Sequence, residues 1–203
     1  MAKKSFKPGT MLNPVPVVMV SCADGKEKNI ITIAWTGIIN SEPPITYVSI
    51  RKSRHSHPMI SKTGEFVINL TTEELAKATD YCGVKSGRDV DKFKEMGLTP
   101  EPCEVVSCPM IAESPLSLEC KVMEVKEYGT HDMFIAEIVK VHVDEKLIDS
   151  EGHIELDEAH LLTYLHGEYF GVKKYPIGKF GFAVMKPKTK RRINRDTKNR
   201  YRG

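Results

Sequence analysis

Pro43-Pro44 is the feature that most constrains this chain. Consecutive prolines fix φ near about −65° and remove two backbone donors, so no helix can run through them. The flanks, Ile30 to Thr36 and Thr46 to Arg51, are rich in Ile, Val, Thr and aromatic residues, which suit a pleated surface. Two paired strands joined across the prolines are predicted. Directly beyond the second, Arg51, Ser53, Arg54, His55, Ser56 and His57 fall within seven positions. That density of cationic and hydroxyl donors can bind a dianionic phosphate through charge-assisted hydrogen bonds. A solvated basic loop has the same composition.

Elsewhere the pattern alternates between strands and short helices. Pro16 to Cys22 and Glu65 to Leu70 read as strands buried on both faces. Thr71-Thr72-Glu73-Glu74 reads as a capping box, with Thr71 as the cap, opening a helix that carries Leu75, Ala78, Thr79 and Cys82 on one face. A second helix is expected from Val90 to Met96, capped by Asp89 and ended by Gly97. Further on, Leu118, Cys120 and Val122 alternate with Glu119 and Lys121, and then Met123 and Val125 shift phase, as a β-bulge requires. Val139, Val141 and Val143 alternate likewise, and Tyr128-Gly129-Thr130 reads as the connecting turn. The fold class predicted is mainly β with short helices, an antiparallel sheet closing into a small barrel. Neither Gly-x-Gly-x-x-Gly nor Gly-x-x-x-x-Gly-Lys occurs, which excludes Rossmann and P-loop readings.

Length and charge set further bounds. A chain of 203 residues can bury one good core and is short for two full domains. No apolar run is long enough for a membrane-spanning helix. The opening MAKKSFKPGT lacks the apolar stretch of a secretory signal, and the five cysteines are odd in number and irregularly spaced, so a cytoplasmic protein with free thiols is expected. Cys103 and Cys108 lack the second pair or nearby His that a tetrahedral metal site needs, and none of the seven histidines forms a ligand pattern; His55 and His57 would face opposite ways on a strand. No metal is expected. From Lys186 to Gly203 nine Lys or Arg stand against Asp196 alone, a charge of +8, which leaves the other 185 residues at −5 within the total of +3. So polar a tail has little with which to bury itself.

Six segments in order carry a resemblance: PVPVVMVSC from Pro14, NIITIAWTG from Asn29, YVSIRKSRHSHPMI from Tyr47, GEFVINLTT from Gly64, YCGVKSGRDVDKF from Tyr81 and HGEYFGV from His166. Over roughly residues 10 to 180 the chain resembles the flavin reductase-like proteins of the FMN-binding split-barrel class, and most closely the flavoredoxin group. The resemblance implies an N-terminal arm over 1–12, a Greek-key split β-barrel domain over 13–182 and a basic tail over 183–203. It also implies an FMN site, with FAD as the larger alternative. Arg51, Ser53, His55 and Ser56 would take the phosphate, with Ser49 on the same strand. Thr32, Ala34 and Thr36 would edge the ring, and Trp35 would cover it or anchor a core or dimer contact. Asn69 and Thr71 are candidates for ribityl or ring hydrogen bonds. Cys82, Gly83 and Ser86 would approach the cofactor on a loop to which Lys85 and Arg88 add charge, and His166 would lie near the flavin or the partner subunit. No catalytic side chain is required, because the flavin carries the chemistry. A homodimer with FMN at or near the subunit interface is implied, with NAD(P)H as a transient substrate or a redox protein as partner. Two alternatives stay open: a non-enzymatic binding protein of this fold that uses its basic tail on nucleic acid or an acidic partner, and an oxidase like those of pyridoxamine phosphate. Specific nucleic-acid recognition is not expected, since Tyr201 is the tail's only aromatic residue.

Overall fold

The Pro-Pro segment does join two paired strands, but the first of them starts later than the sequence suggests. In the computed structural model, which describes residues 1–25 and 27–186, the chain runs β1 (Val15–Pro16), β2 (Val18–Asp24), β3 (Glu27–Ile33), β4 (Thr36–Asn40) and β5 (Ile45–Arg51). Then come α1 (Ser56–Thr63), β6 (Glu65–Leu70), α2 (Ala76–Val84) and α3 (Lys92–Met96). The remaining strands are β7 (Pro100–Glu101), β8 (Met110–Ile111), β9 (Leu116–Tyr128), β10 (His131–Val143), β11 (Leu162–Leu165) and β12 (Glu168–Gly171). The expected run Ile30 to Thr36 bends at Ala34-Trp35, so that β3 pairs with β2 while β4 forms the hairpin with β5.

Seven strands build the main sheet in the order β3-β2-β6-β9-β10-β5-β4, every pair antiparallel. β3 and β4 are its two ends and are not bonded to each other. Yet Ile31 and Ile33 of β3 pack in one buried cluster with Val48 and Ile50 of β5, so the sheet curls back on itself as a split rather than a closed barrel. Phe66, Phe134, Met59 and Ile60 complete that interior, with α1 plugging it. Each fully buried side chain of this size contributes about 1.5–3 kcal/mol. On the other side of β2 and β3, Met19 and Ile30 pack against Leu75, Ala78 and Cys82 of the α2 region and Phe93 of α3. The strict alternation along β2 explains why its whole length reads as apolar: both faces are covered.

Local signals held in part. The bulge is at Met123, which has no partner because Val122 faces Ala136 and Glu124 faces Ile135. Gly129 supplies the positive φ of the β9–β10 turn. The capping box does not form. The Thr71 hydroxyl instead donates to the Val17 carbonyl at 2.7 Å, and the nearest thing to a cap is Thr72 Oγ1, accepting from Leu75 N at 3.3 Å. For α3 the cap is Asp91, accepting from Lys94 N, because Asp89 closes the preceding turn onto Ser86. His55 and His57 lie at the start of α1 rather than on a strand, held by Glu27 at 2.6 Å and Asp132 at 2.7 Å. Among the described residues no helix is long and apolar enough to cross a membrane, and all five cysteines are free.

Met1–Val172 and Lys173–Gly203 form two separate units. The described part of the second unit has a short 3-10 turn at Phe182–Val184. The basic tail, from position 187 on, lies outside the described residues.

One of the sheet's buried charges tests its packing. Glu119 of β9 is fully buried and accepts from the backbone N–H groups of Glu104, Val105 and Val106 and from His142 Nε2. Burial pushes its carboxyl up, but the bond from His142 and the three amides outweigh that and hold it down at about 2. Because the folded state binds this proton less readily than the unfolded chain, the stabilisation is full above pH 4.5 and is lost as pH falls toward 2. Glu119→Gln is expected to cost about 1–3 kcal/mol at neutral pH. In urea unfolding, the gap between wild type and variant should narrow steadily below pH 4.5; a gap that ignores pH would contradict the charged role.

Candidate functional site

The site occupies the seam between the two sheet ends, on the outside of the barrel wall. Val48, Ile50 and Phe134 face the interior, so the residues alternating with them, Ser49 and Arg51 of β5 and His131 of β10, face outward. Arg51 and His131 stand opposite each other in the β5–β10 register. Across the seam, Ile31 and Ile33 face inward on β3, which turns Thr32 outward toward α2.

Two adjoining cavities result. The smaller, about 230 Å³, is enclosed by the turn after β5, the start of α1, the loop after α2, and α3. Its lining holds five cations, Arg51, Arg54, Lys85, Arg88 and Lys92, and no carboxylate. Ser53, Ser56 and Ser86 add hydroxyls. Ser56 is completely buried, and its Oγ accepts from Asn29 Nδ2 at 2.8 Å, which ties the start of α1 to β3. Arg88 donates to the Ser53 carbonyl at 3.3 Å, clasping the two loops together. Gly87 is required where it stands, since a Cβ there would collide with the Asn29 amide and come within 2.8 Å of the His55 ring. Lys92 Nζ donates to the Ile30 carbonyl at 2.6 Å and the Cys82 carbonyl at 2.8 Å. Burial pushes this ammonium down to about 8. Among the described residues, no side-chain bond engages the guanidinium of Arg51 or Arg54.

The larger cavity, about 660 Å³, shares Ile31, Arg51 and Arg54 with the smaller. Its floor is the bend at Ala34-Trp35. The Trp35 ring is 43% exposed and lies 4.7 Å from the His131 ring at 41°. Burial, then the charge of Arg51, pushes His131 below its usual range and favours neutral imidazole. The far wall carries His166 and the edge-on pair Tyr164 and Tyr169, 5.6 Å apart. Tyr169 donates to Asp80 Oδ1 at 3.1 Å; burial, then that carboxylate, pushes the phenol up to about 12.

Of the residues singled out from sequence, Arg51, Ser53, His55, Ser56, Cys82 and Ser86 come together in the smaller cavity. Thr32, Ala34, Trp35, Ser49, Gly83 and His166 line the larger, along with Arg51. Thr36, Asn69 and Thr71 line neither. The Thr36 hydroxyl donates to the Tyr47 carbonyl at 2.5 Å, and Thr71 is spent on Val17. Asn69 is fully buried, donating to Met19 O and Ser21 Oγ and accepting from Ile111 N and Ser117 Oγ, so its amide is saturated inside the sheet. Gly83 has a packing duty as well, because a Cβ there would lie 3.2 Å from Thr32 Cβ and push α2 off β3. The Cys82 thiol is fully buried and pushed up to about 11 by that burial, so it is a neutral group rather than a redox-poised thiolate.

Sequence reasoning missed Asn29, Lys92, His131 and Tyr164. Asn29 and His131 sit at strand positions whose direction could have been read from parity once the core-facing residues were assigned. Nothing local distinguishes Lys92 from a solvated lysine, since its partners are 62 and 10 residues away.

The flavin reductase like domain matches this chain over residues 10–173. Among solved structures, the flavoredoxin of Desulfovibrio vulgaris (Miyazaki F) superposes with a TM-score of 0.83 at 32% identity, over 89% of this chain and 98% of that one. The flavoredoxin from Methanosarcina acetivorans gives 0.82 at 28% identity, over 91% of this chain and all of the other. An uncharacterized protein of Pyrococcus abyssi is 30% identical over 139 residues, 68% of this chain and 80% of its own length. A split barrel with its cavity at the seam, matched by one domain family along most of its length, makes this chain a member of the flavin reductase like family.

Proposed function

We propose that the chain is an FMN-binding redox protein, flavoredoxin-like, that takes electrons from NAD(P)H or from a protein donor. One observation carries this reading: a cavity whose described lining holds five cations and no acid opens, through Arg51 and Arg54, into a larger cleft walled by aromatic rings. A ligand that fits both is elongated, dianionic at one end and flat at the other, as FMN is. The donor set suits a phosphate, with serine hydroxyls and fork-shaped guanidinia in place, and Gly87 keeps the cradle open. The likeness to two flavoredoxins supports the same ligand class.

Arg51, Arg54, Ser53 and Ser86 would hold the phosphate, and Trp35, Ser49 and His131 the remainder. When bound, FMN supplies the electron acceptor and donor, so the chain needs no nucleophile or acid–base dyad. What the chain contributes is position and charge. Unpartnered guanidinia favour an anion beside them, and the neutral imidazole of His131 keeps a further charge away from the cleft.

The reading extends to a homodimer with the flavin site at or near the subunit boundary. Apolar side chains left in solvent at one end of the sheet support it: Ile38 and Ile39 on β4, and Met123 and Val125 on β9 beyond its last pairing with β6 at Lys121.

Three outcomes are expected. The purified protein should show flavin bands or take up added FMN; anaerobic bleaching by NADH or NADPH marks a reductase, and bleaching by dithionite alone marks a carrier fed by a protein donor. A colourless protein that refuses FMN would sink the reading. Arg51→Ala should weaken FMN by about 10- to 100-fold, the loss of charged hydrogen bonds to phosphate, while riboflavin changes little. Equal weakening of both would remove Arg51 from the phosphate. Sedimentation equilibrium should return twice the 22.9 kDa chain mass; a monomer at micromolar concentration would contradict the dimer.

A further inference from the structure

Among the five cations of the smaller cavity, Lys92 differs in kind. Arg51, Arg54, Lys85 and Arg88 are exposed, whereas Lys92 is only 4% exposed. Two of its three donors are committed, to the carbonyls of Ile30 on β3 and Cys82 on α2. Those bonds lock the ammonium at the wall of the cavity and leave one donor for what occupies it. The chain therefore places a desolvated, fixed charge where water is scarce, the situation in which a neighbouring anion changes protonation most.

We propose that Lys92 is a proton-linked anchor of this cavity: its ammonium, fixed by the Ile30 and Cys82 carbonyls, holds the phosphate of the ligand only in its charged form, so that binding draws a proton onto it. This rests on the FMN reading given above. The groups around Lys92 support the coupling. Cys22 of β2 and Cys82 of α2 are buried thiols pushed up to about 11, so neither supplies a countercharge at neutral pH. Arg54 repels the ammonium, and Arg51, Lys85 and Arg88 add positive charge to the same cavity. His55 is engaged by Glu27 at 2.6 Å, and Lys28 lies over the Phe93 ring at 5.2 Å. Among the described residues no carboxylate lines the cavity, so an anionic ligand relieves this crowding. Without it, burial holds the Lys92 ammonium down at about 8. With a dianion beside it, the charged form persists to higher pH.

The test is the pH dependence of FMN and riboflavin affinity between pH 7.5 and 9.5, by flavin fluorescence titration, in wild type, Lys92→Gln and Lys92→Arg. Wild-type affinity for FMN should fall by up to about tenfold per pH unit above pH 8, one proton's worth of linkage, while riboflavin affinity stays flat. In Lys92→Gln, FMN should bind more weakly at pH 7.5 and show no such slope. Lys92→Arg, which cannot lose its charge in this range, should bind FMN with no slope and restore affinity at pH 9.5. If the slope survives in Lys92→Gln, the linkage belongs to another group and the proposal falls while FMN binding stands. A wild-type affinity for FMN that is flat with pH also overturns it. If wild type binds neither flavin at any pH, the FMN reading itself fails and takes this one with it. Circular dichroism melts of the variants separate loss of binding from loss of fold; should the arginine variant not fold, the slope in the glutamine variant decides alone.

Discussion

The arrangement of the site depends on how β3 is held. As an end strand, β3 has a strand neighbour on one side only, and such an edge is open to slippage or to pairing with another chain unless something covers it. Here side chains do the covering. The Lys92 ammonium takes the Ile30 carbonyl, the Asn29 amide reaches Ser56 at the head of α1, and the Thr32 hydroxyl donates to the Thr79 carbonyl of α2. Three residues of one strand are thus tied to three different helices. The same bonds bring together the loops that carry Ser53, Ser86 and Arg88. Cover for the edge and construction of the cavity are one set of contacts.

That economy has an electrostatic side. Five cations facing one small space repel one another, and one of them is desolvated as well. In the folded protein this is a local loss, tolerated because the barrel interior and the second core layer under α2 and α3 supply a large apolar burial elsewhere. Glu119 shows the contrasting arrangement. Its charge is buried too, but three amides and an imidazole meet it, so it strengthens the fold instead of straining it. Charge satisfied within the chain is structural; charge left unsatisfied is available to a ligand.

What could be read from sequence follows the range of the interactions involved. The cluster of donors from Arg51 to Ser56 in the smaller cavity was legible because it is contiguous in sequence. The strand Glu65–Leu70 and the phase shift at Met123 were legible because alternation is a local property. Strand partners were not. β5 pairs with β10, eighty or more positions on, and nothing in either strand names the other. The Thr71 cap failed for a related reason: a threonine beside a helix start satisfies the local rule, yet a carbonyl 54 residues away is the better acceptor. Asn69 looked like a ligand donor from its position at the end of a strand. Its partners, Ser21, Ile111 and Ser117, come from three other places in the chain, and only the assembled sheet reveals that the amide is already spent.

Side-chain direction alternates without exception along β5, so Ser49 and Arg51 reach the cleft only because Val48 and Ile50 are the residues in the core. Displacing that strand by a single residue would exchange the two sets, driving a guanidinium into the barrel and an isoleucine into the cleft. The arginine that lines the cleft therefore also proofreads the fold: a chain assembled one step out of phase has to bury a charge with no partner, and the cleft loses its guanidinium in the same stroke. The lining of the cleft is a gauge of strand parity.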